Sequence, residues 1–117
     1  MRILFDKNVP YQLCRHLDGN AVRTAAEQGW SRLANGDLLK KAEANGFEVM
    51  ISADQNLEYQ QNLKGGDLAL IVLSTNHIGV MEKQAARLVA AVEAASVGSY
   101  QFVKFDLTPK ARSKPGA

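Results

Sequence analysis

Aliphatic runs and polar breaks alternate regularly along this chain. Ile3, Leu4 and Phe5 form a short apolar run that stops at Asp6, which predicts a buried strand over Arg2–Phe5. Residues 10–17 carry apolar side chains at helical spacing, and Pro10 sits where a first helical turn tolerates its missing N–H. After the turn-forming Asp18-Gly19-Asn20, Ala21–Thr24 reads as a second, short strand. Asn35-Gly36-Asp37 introduces Leu38, Leu39 and Ala42 on one helix face, and Asn45-Gly46 supplies the stop. Residues 47–53 make the next long apolar run, and residues 55–63 predict a helix that ends at Gly65-Gly66. The stretch 68–73 is almost wholly aliphatic, as in a strand buried on both faces. Met81, Ala85, Leu88, Val89 and Val92 lie on one stripe of a long helix over residues 80–97. Residues 100–105 alternate as an edge strand does.

Roughly five strands and four helices in strict alternation predict an α/β domain. Its architecture is three-layer α/β/α, a mostly parallel five-stranded sheet joined by right-handed crossovers with helices on both faces. A strand order of 2-1-3-4-5 would set the first and third strands side by side. No repeat, low-complexity segment or linker divides the chain. The domain is expected to cover residues 1–108, with a disordered basic tail over 109–117.

Composition narrows the class without choosing a function. The 117 residues are 46% hydrophobic and 22% charged, the profile of an ordinary globular domain. No apolar run reaches bilayer-spanning length and no leader pattern opens the chain, so no membrane role is expected. Cys14 is the single cysteine, which excludes an internal disulfide framework and fits a reducing cytoplasm. The pI of about 8.8 invites a nucleic-acid reading. Three of its cations, Lys110, Arg112 and Lys114, lie in the acid-free tail, however, and the remainder is close to neutral.

The candidate chemistry sits where the strands end. Asp6 follows the first apolar run and Asp54 the third, and an asparagine stands two residues after each, Asn8 and Asn56. In adjacent parallel strands both carboxylates reach the carboxyl edge, where open α/β sheets bind ligands. Two close carboxylates repel unless a cation or a proton lies between them. Helix capping explains each aspartate singly, for about 1 kcal/mol, but not the repeated Asp-x-Asn. Hard cations such as Mg²⁺ take oxygen donors and keep several waters, so two carboxylates can suffice. Asp37 is either a first-turn cap or a third cleft carboxylate. Glu58 reads as an exposed helix residue. Asn8 and Asn56 could bind metal, orient water or cap helices, and His77, past the fourth strand, is a candidate cleft residue. Zinc is disfavoured, because His16, His77 and Cys14 offer no standard ligand spacing. Trp30 beside Arg32 could stack on a base or, more simply, cover the core edge, and Lys40-Lys41 reads as a solvated helix face. Phosphate-cradling glycine loops and nucleophile elbows are absent from the sequence.

Three motifs, I-L-F-D-K-N-V-P at the start, N-G-D-L-L-K-K-A in the middle and V-M-I-S-A-D-Q-N-L after it, resemble the small PIN-like proteins of the DUF5615 family, relatives of Mut7-C and of toxin-type PIN ribonucleases. The resemblance covers roughly residues 1 to 100. It implies a metal-dependent endoribonuclease that holds Mg²⁺ or Mn²⁺ at Asp6, Asp37 and Asp54, with Asn8 beside them. It also implies RNA as substrate and an antitoxin protein as partner; single-stranded RNA is the expected form, Lys7, Asn8, Asn56 and His77 are the candidate substrate contacts, and a homodimer stays open. Two positions depart from the family pattern: Lys7 stands where a glutamate is common, and Asn56 where a second aspartate is. The alternatives are a catalytically degenerate binding module and a receiver-like phosphoacceptor domain. The receiver reading would use Ser74 or Thr75 and Lys104, but lacks the adjacent acids such domains need after the first strand.

Overall fold

A computed structural model describes residues 1–55 and 66–107. Five parallel strands, β1 (Arg2–Phe5), β2 (Ala21–Thr24), β3 (Val49–Ser52), β4 (Ala69–Leu73) and β5 (Tyr100–Val103), form one sheet in the order β2-β1-β3-β4-β5. The chain begins mid-sheet, winds outward to β2, then crosses β1 to add β3, β4 and β5 on the other side. The winding reverses between β1 and β3, and that reversal opens a crevice at their carboxyl ends. Phe5 lies beside Ile51 in the ladder, so the two chains leave the sheet together.

Period-two alternation divides the strand side chains between two cores. Ile3, Phe5, Ile51, Ile71 and Leu73 face a 3-10 helix (Tyr11–His16) and two α-helices, α2 (Ile78–Lys83) and α3 (Ala85–Ala94), through Leu13, Met81, Leu88 and Val92. Leu4, Met50, Leu70 and Val72 face α1 (Asn35–Ala44) through Leu38, Leu39 and Ala42. Helices therefore cover both faces of the sheet, and Leu70, Ile71, Val72 and Leu73 are fully buried. Among the described residues no helix is long and apolar enough to cross a membrane.

Four elements differ from expectation, each for a local reason. Residues 10–17 give a 3-10 helix limited to Tyr11–His16. The strand expected over 47–53 starts only at Val49, because Phe47 closes α1. Its N–H donates to Ala42 O (3.0 Å) while Gly46 N–H donates to Glu43 O (3.2 Å), the paired bonds of a helix stop with Gly46 at φ +84°. The helix expected over 80–97 is two helices, parted at Gln84 with φ −123° and ψ 27°. There the Gln84 amide reaches across to Asp106, accepting from its N–H and donating to its carbonyl (both 3.0 Å). The last strand ends at Val103, and Phe105 N–H bonds instead to Ser74 Oγ (2.9 Å). The helix expected over 55–63 lies, after Gln55, outside the described residues, as do residues 108–117.

Candidate functional site

Asp6 extends the ladder one step past β1, its N–H donating to Ile51 O (2.9 Å). Its side chain is held below the sheet rim with the residue only 4% exposed. Oδ1 accepts from Lys7 N–H (2.7 Å) and Oδ2 from the Ser52 hydroxyl (2.7 Å). Ser52 is the last residue of β3 and fully buried, and its Oγ in turn accepts from Asp54 N–H (3.0 Å). One hydroxyl thus joins the Asp6 carboxylate to the backbone that carries Asp54. Asn8 adds a second tie, its Oδ1 accepting from Ala53 N–H (3.0 Å). The loops after β1 and β3 are therefore cross-braced by side chains.

The two aspartates sit differently. Asp6 caps no helix: the 3-10 helix is preceded by Pro10 and has no side-chain cap. Asp54 is not the last residue of its strand but lies two residues beyond it, half-buried. Asn8 acts as a brace between loops through its carbonyl oxygen.

The electrostatics single out Asp6. A buried carboxylate is costly unless paired and hydrogen-bonded, and both bonds given to Asp6 come from neutral donors. Among the described residues no Lys, Arg or His side chain pairs with it. Lys7, the nearest cation in sequence, is exposed and sends Nζ to Ser31 O (3.3 Å). A buried carboxylate with only neutral donors at a sheet's switch point is the kind of oxygen ligand a hard divalent cation takes. Among the described residues, no three His, Cys, Asp or Glu side chains form a group able to hold a metal ion. The residues that the topology brings to this edge are Asp6 and Asp54, the backbone of Asp54 being tied to the Asp6 carboxylate through Ser52.

The remaining candidates separate in space. Asp37 is exposed in the first turn of α1. By connectivity that turn lies at the carboxyl edge, since α1 follows β2 and leads back to β3, but Asp37 completes no three-acid group. His77 caps α2, its Nδ1 accepting from Val80 N–H (3.3 Å), and lines a groove to which neither Asp6 nor Asp54 contributes. Asn56 and Glu58 lie outside the described residues. Trp30 packs edge-on to Phe47, ring centroids 6.0 Å apart, and against the α1-side core, which is the core-covering role. Lys40 and Lys41 are exposed.

Sequence reasoning passed over Ser52. Its signal was a lone hydroxyl in a strand buried on both faces, two residues before an aspartate; such a group needs polar partners, and the nearest were the site residues. Gln55 was likewise read only as a helix start, whereas its Nε2 donates to Ser74 O (2.7 Å) and ties the β3 loop to the β4 loop. No family model, no curated protein and no solved structure matches this chain.

Proposed function

We propose that this protein is a PIN-like, metal-dependent endoribonuclease of the cytoplasm, acting on single-stranded RNA and held in check by an antitoxin partner. The observation that carries the reading is the buried Asp6 carboxylate, bonded only by neutral donors and joined through Ser52 to the backbone of Asp54. Asp6 and Asp54 would hold Mg²⁺ or Mn²⁺, with Asp37 approaching from the first turn of α1. A divalent cation there supplies an activated water and offsets charge on the phosphate being cut. The chain's own groups do the positioning. Lys7 N–H and the Ser52 hydroxyl fix both oxygens of Asp6 in one orientation, which lowers the reorganisation needed when substrate arrives. Asn8 keeps the two loops at a fixed separation. Lys7 follows Asp6 in the chain, and its exposed ammonium would favour phosphate and oppose cation binding.

The direct test is cleavage of a labelled single-stranded oligoribonucleotide. Activity is expected with Mn²⁺ or Mg²⁺, none with chelator, and none in Asp6→Asn with either metal. Two observations favour other readings. The absence of a three-acid group among the described residues, together with Lys7, suits a degenerate module that binds without cutting. Activity absent in the wild type and present in Lys7→Glu with Asn56→Asp would establish that reading. The strand order also belongs to receiver-type folds, and a stable aspartyl phosphate at Asp54 after acetyl phosphate treatment would establish that one. Against it, Ser74 Oγ already accepts from Phe105 N–H, and Lys7 replaces the adjacent acid.

A further inference from the structure

Beyond β4, on the α2 and α3 side of the sheet, lies a groove of about 580 Å³ lined by His77, Val80, Lys83, Gln84, Arg87 and Asp106. Its residues follow the carboxyl ends of β4 and β5 in the chain. β4 neighbours β3, His77 stands at the start of the helix that follows β4, and Gln55 ties the two loops together. Its rim is built to hold a shape. Gln84 clasps the Asp106 backbone, while Arg87 donates to Lys104 O (2.8 Å) and to the Asp106 carboxylate (3.0 Å).

We infer that this groove binds the sugar-phosphate backbone of single-stranded RNA next to the segment being cut. The inference rests on the ribonuclease reading for the identity of the polymer, and its own support is charge and shape. Asp106 balances Arg87, but Lys83 is exposed and no carboxylate among the described residues pairs with it, so the groove keeps an unbalanced cation. His77 uses Nδ1 as an acceptor, which leaves its ring proton on Nε2 as a further donor. Val80 and Gly79 add apolar surface between these polar groups, as a backbone-plus-base segment requires. The ten residues after Leu107 carry Lys110, Arg112 and Lys114 with no acid, so the test controls for them.

The test is fluorescence anisotropy of a labelled single-stranded oligoribonucleotide in EDTA, with the full chain, across a range of KCl concentrations. Each phosphate contact to a single strand adds about 0.7 to the slope of log affinity against log salt. Lys83→Gln is expected to weaken binding several-fold at low salt and to reduce the slope by about 0.7. Lys40→Gln, on the opposite face, should change neither. With Lys110, Arg112 and Lys114 all changed to Ser, the Lys83 effect should persist. The proposal is overturned by an unchanged slope in Lys83→Gln or by an equal drop in Lys40→Gln. It is also overturned if the tail substitutions tighten binding, which would make the tail the groove's occupant. Because no metal is present and nothing is cut, the outcomes separate. RNA bound through Lys83 but never cleaved in Mn²⁺ leaves the groove standing and removes the nuclease reading. RNA cleaved in Mn²⁺ with Lys83→Gln binding unchanged does the reverse.

Discussion

At the scale of single residues, Ser52 is the joint on which the candidate site depends. Its hydroxyl donates to Asp6 and accepts from Asp54 N–H, so Ser52→Ala strips one buried carboxylate oxygen of its donor and one amide of its acceptor. Leaving such groups unmade costs about 1–3 kcal/mol each way of counting. Urea denaturation of Ser52→Ala should therefore show a loss in that range, whereas Ser31→Ala, at an exposed loop position, should fall within about 0.5 kcal/mol of wild type. A loss below that for Ser52→Ala would mean the hydroxyl braces nothing. Lys7 invites the opposite change. Lys7→Glu replaces a cation beside the site with a carboxylate, so Mn²⁺ should bind more tightly in calorimetry; weaker or unchanged binding would place the metal elsewhere. The positions of the two aspartates, just past β1 and β3, were legible in the sequence because each follows an apolar run abruptly. Ser52 was not, because a hydroxyl inside an aliphatic run looks like a tolerated strand residue until its partners across the sheet are known.

At the scale of elements, the helix and strand ends carry most of the information about where the site falls. Gly46 stops α1 at φ +84°, and a Cβ there would meet nothing within 4 Å. The cost of Gly46→Ala is thus conformational alone, about 1–2 kcal/mol, and thermal melts should show it; a neutral outcome would mean the stop is set by packing of Phe47 instead. The Asn45-Gly46 stop was readable from composition. The break at Gln84 was not, because Met81, Ala85, Leu88 and Val92, all buried, keep a single apolar stripe through it. What parts the helices is a tertiary contact, the clasp on Asp106, which no periodicity encodes. The same holds for the end of β5, where Ser74 Oγ takes the amide of Phe105.

At the scale of the molecule, the alternation of strands and helices was enough to predict the parallel sheet, and the matching ends of the first and third strands were enough to predict their adjacency. The order β2-β1-β3-β4-β5 is the one reached when β1 and β3 are neighbours and each later strand adds beside the one before it. Topology then places Asp6 and Asp54 at the switch point. The cost of the arrangement is a buried carboxylate, and a cation bound there would couple its own binding to the fold. A ligand that binds only the folded state stabilises it by about 2.7 kcal/mol at a hundredfold excess over its Kd.

The most direct measurement is thermal unfolding of wild type, Asp6→Asn and Asp54→Ala, each titrated with Mn²⁺ and, as a control for ionic strength, with K⁺. The melting temperature of the wild type should rise with Mn²⁺ and level off as the site saturates, while both variants stay flat and K⁺ moves none of the three. A wild type that does not respond to Mn²⁺ or Mg²⁺, or one whose rise is reproduced in both variants, would contradict a metal centre at Asp6 and Asp54.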